Sequence, residues 1–167
     1  ITAVMQGHGS DNYATDLFQP IIRGIEALCG LEQSGEALIP MRVIADHLRT
    51  ISFAVADGAL PSNEGRGYVL RRLVRRAARY GRKLGLTEPF MYKLVPVLVE
   101  KMGTVFPELQ THARHVAEVM RSEEESFSRT LDRGIDLFEQ ISETVKAGGG
   151  RRISGDEVFK LYDTFGF

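Results

Sequence analysis

Cysteine is nearly absent and tryptophan entirely so: the 167 residues hold one Cys and no Trp. A lone thiol, Cys29, can close no internal disulfide and build no Cys-rich zinc site, which fits a reducing compartment and a cytoplasmic location. No apolar run approaches the ~20 residues that a bilayer-spanning helix needs. Residues 1–15 also lack the basic stretch followed by an apolar one that marks a secretory signal. No membrane partner is therefore expected. Repeats and low-complexity tracts are missing too, and 43% hydrophobic against 26% charged residues excludes global disorder. A chain this long buries ~69% of its unfolded surface when it folds, enough for a core without covalent staples. Finally, no stretch of strand length alternates with period two, so the expected fold class is all-α, with about seven helices, one of them long, and little or no sheet.

The net charge of −1 conceals a polarity. Residues 65–87 carry eight basic residues and no acidic one, whereas residues 118–143 carry eight acidic and three basic residues. Such separation predicts one face for an anionic partner and others for solvent or protein. The ends read as cut from a longer protein, since natural termini are usually polar and loose. Here ITAVMQ opens the chain on an apolar helical pattern and LYDTFGF closes it on aromatics.

Helix punctuation is clear along the chain. Residues 1–6 read as the end of a helix. Thr15 or Asp16 caps a second, running to Leu28 with Leu17, Ile21 and Ile25 inward, and Gly30 stops it. The next starts near Pro40 and ends near Asp57, with Gly58 after it. A basic helix spans about Gly67 to Leu84. Thr87 and Pro89 open another, in which Pro96 predicts a kink or break. Residues 107–146 form the longest pattern, with a seam of Val116, Met120, Phe127, Leu131, Phe138, Ile141 and Val145, ended by Gly148–Gly150. The last helix begins with Ser154 and Glu157 spaced as a capping box.

The segment GRGYVLRRLVRRAARYGRKLG carries the chemistry. At 100° per residue, Arg71, Arg82, Arg75, Arg79, Arg72, Lys83 and Arg76 fall within roughly 140° of one another. The apolar side chains, with Val69 and Tyr80, take the remaining arc. Solvated faces usually mix signs in i,i+4 pairs, but this band contains no carboxylate of its own and repels itself. Arg forks bind phosphate bidentately, so these seven side chains and Arg66 are candidate phosphate ligands and a nucleic-acid backbone is the simplest partner. Just before the helix, Pro61-Ser62-Asn63-Glu64 places short polar side chains where free N–H groups favour anions; helix capping by Ser62 or Asn63 is the plain alternative. The Gly65-Arg66-Gly67 triplet lacks a preceding strand and a third glycine, and is weak as a nucleotide loop.

The string ADGALPSNEGRGYVLRRLVRRAARYG resembles a stretch of the alanyl-tRNA synthetases. RVIADHLRTISFAVADG before it, and EEESFSRTLDRG and LYDTFGF after it, match in the same order, so the resemblance covers essentially the whole chain. ITAVMQ and DNYATDLF are similar to the segment after the family's third class II motif. The resemblance implies residues 1–35 as terminal helices of the aminoacylation domain and 36–167 as a helical domain that recognises the tRNA acceptor stem. It implies no catalytic residue and no metal ligand here. ATP, magnesium and alanine would be handled upstream of Ile1, and an editing region with zinc would lie downstream of Phe167, leaving this segment inactive by itself. It further implies that Asn63 and Asp163 contact the G·U wobble pair that marks the cognate tRNA, near one minor-groove site. A G·U pair leaves the guanine 2-amino group free in the shallow minor groove of an A-form stem. A carboxylate accepts from that donor, and an amide can accept or donate.

Other residues take plainer readings. His112 and His115, at i,i+3, lack a third ligand and are expected on the surface. Asp46 and His47 diverge by ~100° on a helix, which makes His47 a packed histidine. Glu123–Glu125 are expected in solvent, and the aromatics of LYDTFGF packed inward. The competing functions are a helix-turn-helix DNA-binding domain, with the basic helix in a major groove, and a helical protein-interaction module built on the acidic 118–143 stretch.

Overall fold

The computed structural model describes residue 7 and residues 11–165. The helical reading of residues 1–6 and the aromatic Phe167 lie outside the described residues. Among those described there are six α-helices and no strand. They are α1 (Gln19–Cys29), α2 (Leu38–Ala56), α3 (Gly65–Lys83), α4 (Val95–Met102), α5 (Pro107–Ala147) and α6 (Gly155–Phe165). Short 3-10 turns precede α1, α2 and α4.

Local chemistry explains the boundaries. The first helix begins later than Thr15 because Asp11 caps a 3-10 turn instead, its side chain accepting from the Tyr13 N–H at 2.9 Å. Leu17 is accordingly left exposed, and Ile22 is buried beside Ile21 and Ile25. After α2, Gly58 adopts φ 87°, and the Ala59 N–H reaches back to the Ala54 carbonyl at 2.9 Å, a closing bond that only a left-handed residue permits. The helix expected to open at Thr87 and Pro89 does not form there: residues 87–90 are not helical, a 3-10 turn occupies Met91–Leu94, and Pro96 falls in the first turn of α4, where its missing N–H costs nothing.

The chain folds as two compact units, residues 1–124 and 125–167, with the boundary inside α5. In the first, α2 packs along α3, and α1 packs on α2 and α4. The core they enclose includes Ile21, Ile25, Met41, Ile44, Leu48, Ile51, Val74, Ala77, Leu98, Leu109, Val116 and Met120. Burial of α3 repeats every three to four residues through Gly67, Leu70, Val74, Ala77 and Gly81. Gly81 makes close approach possible: a Cβ there would stand 2.2 Å from the buried Phe90 ring. His47 is buried, as its helical position predicted, and burial pushes its pKa below the ordinary 6.5; the Arg76 charge adds to this, and Asp46, 3.8 Å away, opposes it.

Among the described residues of the second unit, the buried apolar ones are Phe127, Leu131 and Leu161. The α5 seam therefore holds as far as Leu131; Phe138 is already exposed. Ser154 and Glu157 form the capping box in full. The Ser154 N–H donates to Glu157 Oε2 at 3.2 Å, and the Glu157 N–H donates back to Ser154 Oγ at 3.3 Å. Ser154→Ala is expected to cost about 1 kcal/mol, visible as faster amide exchange through the first turn of α6 with the first unit unchanged. The inward packing expected of the LYDTFGF aromatics is corrected for Tyr162, which is 68% exposed; Leu161 is the residue of that helix that turns inward.

Candidate nucleic-acid interface

The basic band of α3 divides along its length. Arg72, Arg76, Arg79 and Lys83 are exposed, whereas Arg71, Arg75 and Arg82 are half-buried. The exposed four, with Tyr80, line a depression of about 380 Å³. The Arg76 guanidinium lies 6.0 Å from the centre of the Tyr80 ring, and Lys83 Nζ lies 5.4 Å from it. Arg72 stands 5.8 Å from the Tyr68 ring. Rings beside the cations spread apolar, stackable surface among the charges, a combination that suits a phosphate-and-sugar backbone. Val69, placed on the inward arc by the wheel, is 55% exposed at the edge of the band. Arg66 is exposed in the first turn of α3.

The other side of the band meets a carboxylate, and here two expectations are corrected. Glu123 and Glu124, expected in solvent, are buried. Glu123 reaches from α5 to the band: its Oε1 is 3.0 Å from Arg71 Nε and 3.5 Å from Arg75 Nε, and its Oε2 accepts from Arg71 Nη2 at 3.2 Å. Hence the band, although free of carboxylates along its own helix, does not simply repel itself. Arg71 and Arg75 are held by Glu123, and the exposed positive charge is concentrated at Arg72, Arg76, Arg79 and Lys83.

Asn63 stands exposed in the turn before α3. Neither it nor Ser62 caps the helix, because Glu64 occupies the N-cap and makes no side-chain cap bond. Ser62 instead ties the turn together, its Oγ donating to the Glu64 carbonyl at 2.8 Å and its N–H to the Gly67 carbonyl at 3.0 Å. A Cβ on Gly67 would fall 2.3 Å from the Leu60 carbonyl oxygen, so glycine is what lets the turn lie this close to α3. Asn63 Oδ1 accepts from Arg71 Nη1. Arginine has only donors, so the amide oxygen must face it and the NH2 group points elsewhere. Asp163 belongs to the second unit, exposed in the last turn of α6.

Glu124 faces the other way. Its Oε1 accepts from the Phe90 N–H at 3.2 Å and its Oε2 from the Met91 N–H at 3.0 Å, at the start of the turn that leads into α4. Burial raises its pKa from the ordinary 4.5 to about 7, against the pull of the Phe90, Met91 and Tyr92 N–H groups and of Lys93. His112 and His115 are exposed, as expected. Among the described residues no three His, Cys, Asp or Glu side chains stand together as a possible metal set, and no helix is long and apolar enough to cross a membrane.

The family described as tRNA synthetases class II (A) matches residues 1–167. This chain belongs to that family. The alanine–tRNA ligase of Chlorobium phaeobacteroides is 51% identical over 171 residues, covering all of this chain and 19% of the relative. The alanine–tRNA ligase of Streptococcus sanguinis is 52% identical over 169 residues, again covering the whole chain and 19% of the relative. That of Halalkalibacterium halodurans is 51% identical over 158 residues, 93% of this chain. The synthetase segment described here thus spans about a fifth of the length of these relatives, 19% in two of them.

What the sequence reading of this synthetase segment missed is the pair Glu123 and Glu124. The clue lay in the α5 seam. Between Met120 and Phe127 the three-to-four spacing requires an inward position at 123 or 124, and both are glutamate. A carboxylate on a buried seam demands a partner, and the surplus of arginine on α3 supplies one.

Proposed function

We propose that residues 1–167 form the tRNA-binding part of an alanine–tRNA ligase. In this reading the exposed face of α3 lies along the acceptor stem, and Asn63 and Asp163 recognise its G·U wobble pair. The observation that carries the proposal is the depression on α3, where Arg72, Arg76, Arg79 and Lys83 surround Tyr80, in a chain about half identical to alanine–tRNA ligases. Residues 1–35 are then the last helices of the aminoacylation domain and 36–167 the recognition domain. The whole enzyme attaches alanine to tRNA(Ala) with ATP and magnesium in the cytoplasm, and its editing region uses zinc. Those groups act outside this segment, which binds without catalysing. Asn63 and Asp163 supply specificity and the basic face supplies affinity, because base-edge contacts specify while phosphate contacts position.

The test is filter binding of the 167-residue chain to an acceptor-stem RNA duplex, a DNA duplex of the same sequence, and RNA duplexes with G·U replaced by G·C. Four phosphate contacts give a slope of log affinity against log salt of roughly −2.8 to −3.6. Asn63→Ala and Asp163→Ala are each expected to lower the preference for G·U over G·C by ~1–3 kcal/mol, with little change in binding to the G·C stem. Equal or tighter binding of DNA would move the assignment to a DNA-binding helix pair, and no binding to either duplex would leave the protein-interaction reading.

A further inference from the structure

We infer that Glu123 is a positioning residue for recognition by Asn63, acting through Arg71; the inference rests on the acceptor-stem reading above. Three side chains from three parts of the fold form one line: Glu123 on α5, Arg71 on α3 and Asn63 in the turn before α3. Glu123 is 8% exposed, and its carboxylate engages two of the Arg71 nitrogens, Nε with Oε1 at 3.0 Å and Nη2 with Oε2 at 3.2 Å. The remaining terminal nitrogen, Nη1, donates to Asn63 Oδ1.

The geometry makes Arg71 a rigid spacer. A guanidinium is planar, and one hydrogen bond from Nη2 together with the ion-pair contact at Nε, both to the same carboxylate, hold its position and its plane. Nη1 is then aimed, and the amide that accepts from it is held in one orientation with its NH2 outward. An exposed asparagine in a turn would otherwise rotate among several χ2 settings and both amide faces. Without Glu123, Arg71 regains its rotamers and its charge becomes available to phosphate. Asn63 then has to be ordered at the moment of binding, and part of its contribution to specificity goes into that ordering.

This gives a signature that a general packing role for Glu123 does not. Glu123→Gln removes the charge that holds Arg71 and Arg75 but keeps the length of the side chain. The variant should discriminate G·U from G·C about ten-fold less well than the wild type. Its affinity for the G·C stem should be equal or higher, and its salt slope steeper by up to ~0.9, as Arg71 becomes available to phosphate. Combined with Asn63→Ala it should lose no further discrimination, because both changes cut the same line. Glu123→Asp, which keeps the charge and shortens the arm, is the second variant; it decides the matter if Glu123→Gln fails to fold by circular dichroism, and it should lose discrimination with an unchanged slope. In the RNA-free protein, the Asn63 side-chain NH2 resonances should be dispersed in the wild type and collapse toward free-amide positions in either variant. Wild-type discrimination in the folded variants, beside a loss in Asn63→Ala, overturns the inference while sparing the acceptor-stem reading. If Asn63→Ala itself discriminates normally although the Asn63 NH2 signals of the chains that keep it respond to Glu123, the line exists but the recognition role assigned to its end is wrong, and both proposals fall.

Discussion

Replacing Arg72 and Arg76 together by alanine is expected to lower affinity for every acceptor stem by at least ~150-fold at low salt, whatever base pair the stem carries. Each side chain projects from the exposed face of α3 into the depression around Tyr80, and a hydrogen bond to a charged group contributes about 1.5–3 kcal/mol. The slope of log affinity against log salt should flatten by about 1.4–1.8, the share of two phosphate contacts. G·U over G·C preference should persist, because neither residue belongs to the line from Glu123 through Arg71 to Asn63. Arg71→Ala and Arg75→Ala should behave differently. Their charges are already opposed by Glu123, so their removal should change the slope less than removal of Arg72 and Arg76. Equal slopes from the two pairs would mean that Glu123 leaves the phosphate-binding face undivided. Fold integrity is the control: both arginines are exposed, and such substitutions usually stay within about 0.5 kcal/mol.

How far the sequence could lead depended on whether a feature is local. The period of α3 follows from its own residues, so Leu70, Val74 and Ala77 went inward and Arg72, Arg76 and Arg79 outward as the wheel required. The capping box of α6 and the left-handed Gly30 and Gly58 are equally local. The division of the basic band was not local. It depends on a glutamate 52 positions beyond Arg71, and only the packing of α5 against α3 brings the two together. The same holds for Glu124, whose partners lie 33 and 34 positions earlier. Asn63 was legible by resemblance, yet its bond to Arg71 depends on how closely Gly67 lets the turn approach the helix. The exposed Tyr162 on α6 shows the opposite failure: aromatic composition predicted burial, and the helix presents that ring to solvent.

Stability should carry a pH dependence traceable to Glu124. Its carboxylate is buried and its pKa stands at about 7, with burial the largest cause. In the unfolded chain the same group titrates near its ordinary 4.5. Between these values the native protein keeps a proton that the unfolded chain has released. By linkage, the contribution of this group to stability is highest below pH 4.5, declines as pH rises through the window, and is fully lost above pH 7, a change on the order of 3 kcal/mol. His47 works in the opposite direction: its lowered pKa makes its contribution rise with pH up to about its ordinary 6.5. A single melting profile therefore mixes the two, and Glu124→Gln separates them. The amide resembles the protonated acid, with one acceptor for the Phe90 and Met91 N–H groups, and does not titrate. Guanidinium unfolding followed by circular dichroism from pH 4.5 to 7.5 should show the stability difference moving steadily in favour of the variant as pH rises, with His47 cancelling between the two chains. Parallel curves would show that Glu124 releases its proton below this window. The stake reaches the functional face, since Glu124 fixes the backbone of Phe90, whose ring fills the space left by Gly81 near the end of α3. Because N–H donors bind the ionised carboxylate more strongly than the acid, this hold persists at high pH and the stability lost there is the cost of a buried charge, so amide exchange at residues 79–84 should quicken above pH 7 only in step with global unfolding, and less so in Glu124→Gln.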